Sequence, residues 1–194
     1  MSFRRTVLVV AILNLAYFGI EVTVALTIGS VSLFADSVDF LEDASINVLI
    51  FFATTWSLRR QSTVGSVLAI VILVPALATI AIAVQKILDP VPPAVLPLSL
   101  AALGALVVNV TCAALLVRHR HTNGSMAKAA WLSARNDAFA NIAIILVAVA
   151  TIWVRTGWID IAVGVAIGLL NADAARAVWR AARDERLAQR QAMP

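Results

Sequence analysis

Ser32 to Asn47 reads SLFADSVDFLEDASIN, with GSV running into it and VLIFFATTW following it. Four carboxylates, Asp36, Asp39, Glu42 and Asp43, fall within eight positions of a segment that otherwise reads as lipid-facing helix. An ionisable group near the centre of a bilayer costs about 2.5 to 3.5 kcal/mol on insertion scales, so several on one helix need a use. At 100° per residue Asp36, Asp39 and Asp43 lie within about 60° of one another, and Glu42 sits at the edge of that arc. Such a face makes a proton relay, a cation site, or both.

The bilayer reading rests on the whole chain. Its 194 residues are 61% hydrophobic and only 13% charged, against roughly 25% charged in a soluble domain. Mean hydropathy is +0.93, more apolar than a chain of this length can bury while still covering itself with polar surface. The net charge of +4 is no nucleic-acid footprint, because Lys and Arg are scattered through short inter-helix segments and do not share a face with aromatics. The lone Cys112 has no internal disulfide partner and reads as a packing residue. An N-terminal FRR before an apolar run looks like a signal peptide, but the run continues past position 20 with no small-residue cleavage site, so it reads as a first span.

A spanning helix takes about 20 apolar residues. Breaks at charge, Pro and Gly then give six spans, Thr6–Ile28, Leu33–Leu58, Val64–Leu88, Val95–Val117, Ala127–Arg155 and Trp158–Trp179. The expected fold is an all-α integral membrane protein, one transport domain over residues 1–180 with a short basic tail over 181–194. Lys and Arg set its orientation. One side receives Arg4, Arg5, Arg59, Arg60, Arg118, Arg120, Lys128, Arg176, Arg180, Arg183, Arg186 and Arg190, and the other only Lys86 and Arg155. Twelve against two puts both termini in the cytoplasm.

Two further polar stripes accompany the acidic helix. In the fifth span Ser133, Asp137 and Asn141 are spaced by four, with Asn136 beside them; in the first, Asn14, Tyr17 and Glu21 recur at helical spacing. Facing one another, the stripes would gather oxygen ligands in mid-membrane. Plainer readings stand beside this one. Asp36 follows the GSV turn closely enough to sit at a wet helix end, Asp137 could pair with Arg135, and Glu21 serves equally as a proton-linked group or a packing contact. Asn14, Asn109, Asn141 and Asn171 fit interhelical hydrogen bonds. His119 and His121, in RHRH, are either solvated loop residues or a point of metal capture.

At these residues the chain resembles the cation diffusion facilitator family, six-helix exporters of divalent metals, over nearly its whole length. GSVSLFADSVDFLED is similar to that family's second-helix pattern of Gly-Ser, Ala-Asp and then two metal ligands four apart. The resemblance implies that Asp39 and Asp43 are that pair. It places the family's second pair, His or Asp followed four later by Asp, on Ser133 and Asp137, of which Asp137 fits and Ser133 departs. Members commonly continue into a cytoplasmic metal-binding domain, whereas about 15 residues follow the last span here; a short member without that domain is expected. A homodimer through the transmembrane helices, in a bacterial inner membrane, is implied as well.

The expected activity is proton-coupled antiport of a divalent cation by alternating access. Asp39, Asp43 and Asp137 would bind the ion, with Ser133, Asn136 or water completing the shell, and Asp36 and Glu21 would serve proton relay or access. Ligating carboxylates must be deprotonated, so metal binding displaces protons. The resemblance makes zinc the leading cargo, and the loss of a nitrogen ligand at Ser133 opens manganese, iron, cobalt and cadmium. No prosthetic group is implied. Two other classes remain: a proton-coupled carrier of another small cation, and a non-transporting subunit whose carboxylates bind a partner helix. The aromatic lining that an organic cation would favour is missing, since Trp56, Trp131, Trp153, Trp158 and Trp179 fall near span ends. No nucleophile with its base and no phosphate-cradling glycine loop is present, so an enzyme is not expected.

Overall fold

A computed structural model describes residues 2–53, 58–119 and 124–170. It is all-α. Five long helices, α1 (Phe3–Ile28), α2 (Val31–Ala53), α3 (Leu58–Leu88), α4 (Val95–Val117) and α5 (Gly124–Val154), are followed by α6 (Trp158–Leu170). The boundaries differ from the charge-based ones where local chemistry carries a helix further. Arg and Gln are good helix formers, so the Arg-Arg-Gln-Ser-Thr segment continues as the start of α3. Gly29, at φ 63°, ends α1 in the left-handed region, and Ser30 Oγ accepts from Leu33 N at 3.2 Å, so α2 starts at Val31. Arg155, at φ 47°, stops α5.

Helices α1, α2, α4 and α5 form a four-helix bundle in which α1–α2 and α4–α5 are antiparallel hairpins and α3 packs against α2. Small residues let the helices approach, as expected in lipid, where packing and hydrogen bonds drive association. Ala101, Ala102 and Ala105 are buried along α4, and Tyr17 crosses from α1 to donate to the Ala101 carbonyl at 2.6 Å. Leu33, Phe34, Ala35 and Val38 of α2 pack with Ile144, Val147 and Ala148 of α5 and Ile167 of α6. A second cluster, with Val7, Val10, Ile50, Cys112, Leu116 and Ala134, closes the end nearer the N terminus. Large apolar side chains such as Ile12, Leu26, Leu96, Val107 and Leu146 point outward, the pattern of a bundle solvated by lipid.

Among the described residues α1, α4 and Ala130–Val154 of α5 are long and apolar enough to cross a membrane, with mean hydropathies of 2.1, 2.4 and 2.1. Leu73–Leu88 and Trp158–Leu170 are shorter apolar helices. The acidic α2 is not among them, as four carboxylates in its sequence would lead one to expect. Trp153 and Trp158 are exposed beside the α5–α6 turn, whereas Trp56, Trp179 and the basic tail lie outside the described residues.

Candidate functional site

The acidic face of α2 divides between two neighbours. Asp39 and Asp43, with Glu42, turn towards α5 and line a cavity of about 230 Å³ whose other walls are Ser133, Asn136, Asp137 and Ala140 of α5 and Ile167 and Leu170 of α6. A water occupies about 30 Å³ of liquid, so the space admits a cation with part of its hydration shell. Ser133 Oγ donates to Asp43 Oδ1 at 2.8 Å, and the Asp43 and Asp137 carboxyl groups stand side by side across the α2–α5 interface. One turn further along each helix an asparagine braces the backbone: Asn47 Nδ2 donates to the Asp43 carbonyl at 2.8 Å and Asn141 Nδ2 to that of Asp137 at 2.7 Å.

Among the described residues no Lys or Arg lines this cavity. Arg135 turns away, donating to Asn136 Oδ1 at 3.2 Å and lying over the Trp131 ring, so it is not the partner of Asp137. Four carboxylates in one cleft focus a negative potential once they ionise. Among the described residues no three His, Cys, Asp or Glu side chains converge closely enough to hold an ion. Asp43 and Asp137 are the adjacent pair, and Asp39 faces the same space from one turn away on α2.

Several expectations are corrected by this arrangement. Asp36 is not at a wet helix end; it is fully buried, lies outside the cavity lining, and pairs with Glu21 of α1. Neither carboxyl group has a hydrogen-bond partner among the described residues. The α1 stripe does not converge on the cavity: Tyr17 goes to α4, and Asn14 is buried with no hydrogen-bond partner among the described residues. His119 is not solvated loop, because its ring packs 5.4 Å from that of Phe3 and its Nε2 lies 3.2 Å from Thr6 Oγ1; His121 and Asn171 lie outside the described residues. Glu42, which the helical-wheel arc left at its edge, joins the lining because the cavity extends past that arc towards α6. Asp160, which the sequence reading did not single out within the span Trp158–Trp179, is fully buried and gathers the ends of several helices around its carboxylate.

Six helices with a largely apolar exterior and an acid-lined cavity fit a multi-pass membrane domain. Residues 7–185 match the cation efflux transmembrane domain, and the chain belongs to that family. It is therefore an integral, multi-pass membrane protein that transports metal cations, and not an enzyme. No curated protein matches the chain significantly.

Proposed function

We propose that the protein exports a divalent metal ion in exchange for protons by alternating access, with zinc as the leading cargo and manganese, iron, cobalt and cadmium as the alternatives. The observation that carries this reading is the cavity shared by Asp39, Asp43 and Asp137, with Ser133 bonded to Asp43. Asp43 and Asp137 take the ion first, being adjacent across two helices, and Asp39 swings in to complete an anionic set. Ser133, Asn136 or retained water fills the shell. Oxygen-only shells suit hard ions and imidazole suits zinc, so the hydroxyl at 133 widens the range of acceptable metals. Protons held by the carboxylates leave as the metal binds, since only the deprotonated group ligates, and they return from the opposite side when it departs. Glu21 and Asp36, close by on the α1–α2 face, serve the proton route.

The positive-inside count puts both termini in the cytoplasm, so the α1–α2, α3–α4 and α5–α6 turns face out. A homodimer through the transmembrane helices, in a bacterial inner membrane, fits the resemblance to cation diffusion facilitators. Cysteines introduced at Arg60 and Gln189, in a Cys112→Ala background, are expected to be protected from an impermeant thiol reagent added outside, and one at Val91 to react. Labelling of position 60 from outside overturns this orientation. The function is tested by reconstituting the protein in proteoliposomes and following metal flux and proton release together across a panel of divalent ions. Flux without proton movement removes the antiport, and binding without flux removes the carrier.

A further inference from the structure

Asp160, in the first turn of α6, is completely buried at the end of the bundle opposite the N terminus. Its Oδ1 accepts from Ser30 Oγ at 2.7 Å, Ser32 N at 3.2 Å and Ser32 Oγ at 2.6 Å. Oδ2 accepts from Val31 N at 2.8 Å and from Lys86 Nζ at 3.1 Å. Ser30 Oγ takes the amide of Leu33, so the first three amides of α2 are all met, two of them by a carboxylate from another helix. Lys86, in the last turn of α3, also donates to the Gly29 carbonyl at the end of α1. The ends of four helices therefore meet on one ion pair, with the anion at the N-terminal end of α2 and the cation at the C-terminal ends of α1 and α3, each the favoured sign for the helix dipole.

Glycine makes the approach possible. A Cβ on Gly164, one turn after Asp160, would lie 2.6 Å from Ser32 N and from Val31 C, and one on Gly157 would lie 2.7 Å from Pro90 O. Below the cluster Val31, Ala83 and Ile161 form a small apolar contact, and beneath that Leu33, Phe34, Ala35 and Val38 pack with Ile144, Val147, Ala148 and Ile167. By helix rise Asp43 is about 18 Å along the axis from Val31. Between α2 and α6, then, the Asp160 cluster and these two apolar layers lie between this end of the bundle and the cavity.

We propose that Asp160, Lys86, Ser30 and Ser32 form the outer latch of the transport cycle: they hold α6 and α3 against the start of α2, and they part each time the metal cavity opens outward. This rests on the alternating-access reading above. The composition of the joint favours a latch over a permanent brace. Apolar residues in place of an ion pair are commonly as stable or more so, whereas a carboxylate, an ammonium, two hydroxyls and helix-end amides are groups that water satisfies when they separate. Such a joint has a discrete closed state and an open state that solvent supports at the membrane surface.

The test places a reporter thiol at Ala140, which lines the cavity without being a proposed ligand, in a Cys112→Ala background. Its reaction with an impermeant maleimide added from the side opposite the N terminus is timed in sealed vesicles, for the parent and for Asp160→Asn, Lys86→Gln and Ser32→Ala. Loosening the latch shifts population towards the outward-open state, so outside labelling is expected to quicken by about ten-fold in Asp160→Asn and about three-fold in the other two. Zinc affinity is expected to stay within about two-fold of the parent, and zinc to slow labelling in every variant. Outside reactivity at the parental rate in the variants that insert and bind zinc overturns the latch. Loss of insertion or zinc binding in all three also overturns it and makes the cluster a brace. A parent that moves no metal, with variants that still label faster from outside, leaves the latch standing and removes the export reading.

Discussion

Asp43 and Asp160 are both buried carboxylates touching α2, about 18 Å apart along its axis by helix rise, and their surroundings are opposite. Asp160 accepts five hydrogen bonds, from two backbone amides, two serine hydroxyls and a lysine. Asp43 accepts from the Ser133 hydroxyl and shares an open cavity with Asp39, Glu42 and Asp137. A carboxylate whose lone pairs are filled by its own protein has none left for a cation. One left with free lone pairs, beside others of the same sign, has room for a ligand that the protein itself does not supply. The Glu21–Asp36 pair falls at the unfilled extreme, with no donor from the described residues and no place in the cavity lining.

The contrast breaks most visibly at the cavity. Asp43→Ala and Asp137→Ala each remove an anionic ligand, and metal affinity is expected to fall by about 100-fold or more, since even outer-shell changes cost 10- to 100-fold. Flux should vanish while membrane insertion stays intact. Wild-type transport by either variant would move the site elsewhere. At the sealed end the expected loss is stability. Gly164→Ala drives a methyl group into the backbone of Val31 and Ser32, and overpacking of that kind costs about 1 to 3 kcal/mol. Gly19, with nothing within 4 Å of its added Cβ, is the control. Thermal unfolding in detergent should drop for Gly164→Ala and hold or rise for Gly19→Ala; equal curves would mean that the α2–α6 joint is slack.

A smaller effect sharpens the identity of the cargo. Ser133→His adds a nitrogen beside Asp43, and zinc should tighten relative to manganese by about 1 to 2 kcal/mol, roughly five- to thirty-fold. The imidazole binds only when neutral, so the gain should fade below roughly pH 6. Competition titration of the two metals from pH 5.5 to 8 reads this, and an unchanged ratio in a variant that still binds metal would take residue 133 out of the shell.

The smallest effect concerns the opposite end of the bundle. Burial beside Phe3 and Thr6, then the positive charges of Arg118 and the N-terminal amine, hold the His119 imidazole below its ordinary value of 6.5. A base held low stabilises the fold fully above that ordinary value, and the contribution is lost as pH falls towards the folded-state value, because the unfolded chain then binds the extra proton. Acidification below about pH 6.5 should therefore lower the unfolding temperature slightly, and His119→Gln should flatten that slope. An identical slope in the variant would show that His119 plays no part.

Much of this architecture is legible along the chain because the bilayer imposes it. Backbone polar groups in lipid must be satisfied within a helix, so hydropathy breaks at Gly29, Asp89 and Arg155 mark real helix ends. Carboxylates are expensive in that setting, which is why SLFADSVDFLED and SARNDAFAN stand out from the apolar runs around them; Asp39, Asp43, Ser133 and Asp137 of those stretches line one cavity. A helical wheel fixes which way a residue points and says nothing of which neighbour stands there. Asp36 shares an arc with Asp39 and Asp43, yet that arc straddles the boundary between α1 and the α5–α6 cavity, so Asp36 meets Glu21 while Glu42, at the edge of the arc, meets the cavity. Asp160 is hidden in the sequence for a related reason. At the start of a span it reads as a surface residue, and only the close approach allowed by Gly164 carries it into the unfilled amides at the start of a helix more than a hundred residues away in sequence. Composition and spacing determined the spans and the acidic stripe, because both follow from the cost of polar groups in lipid. Tertiary packing alone decided which carboxylates stay open to a cation and which one the protein keeps for itself, because that depends on donors supplied by other helices.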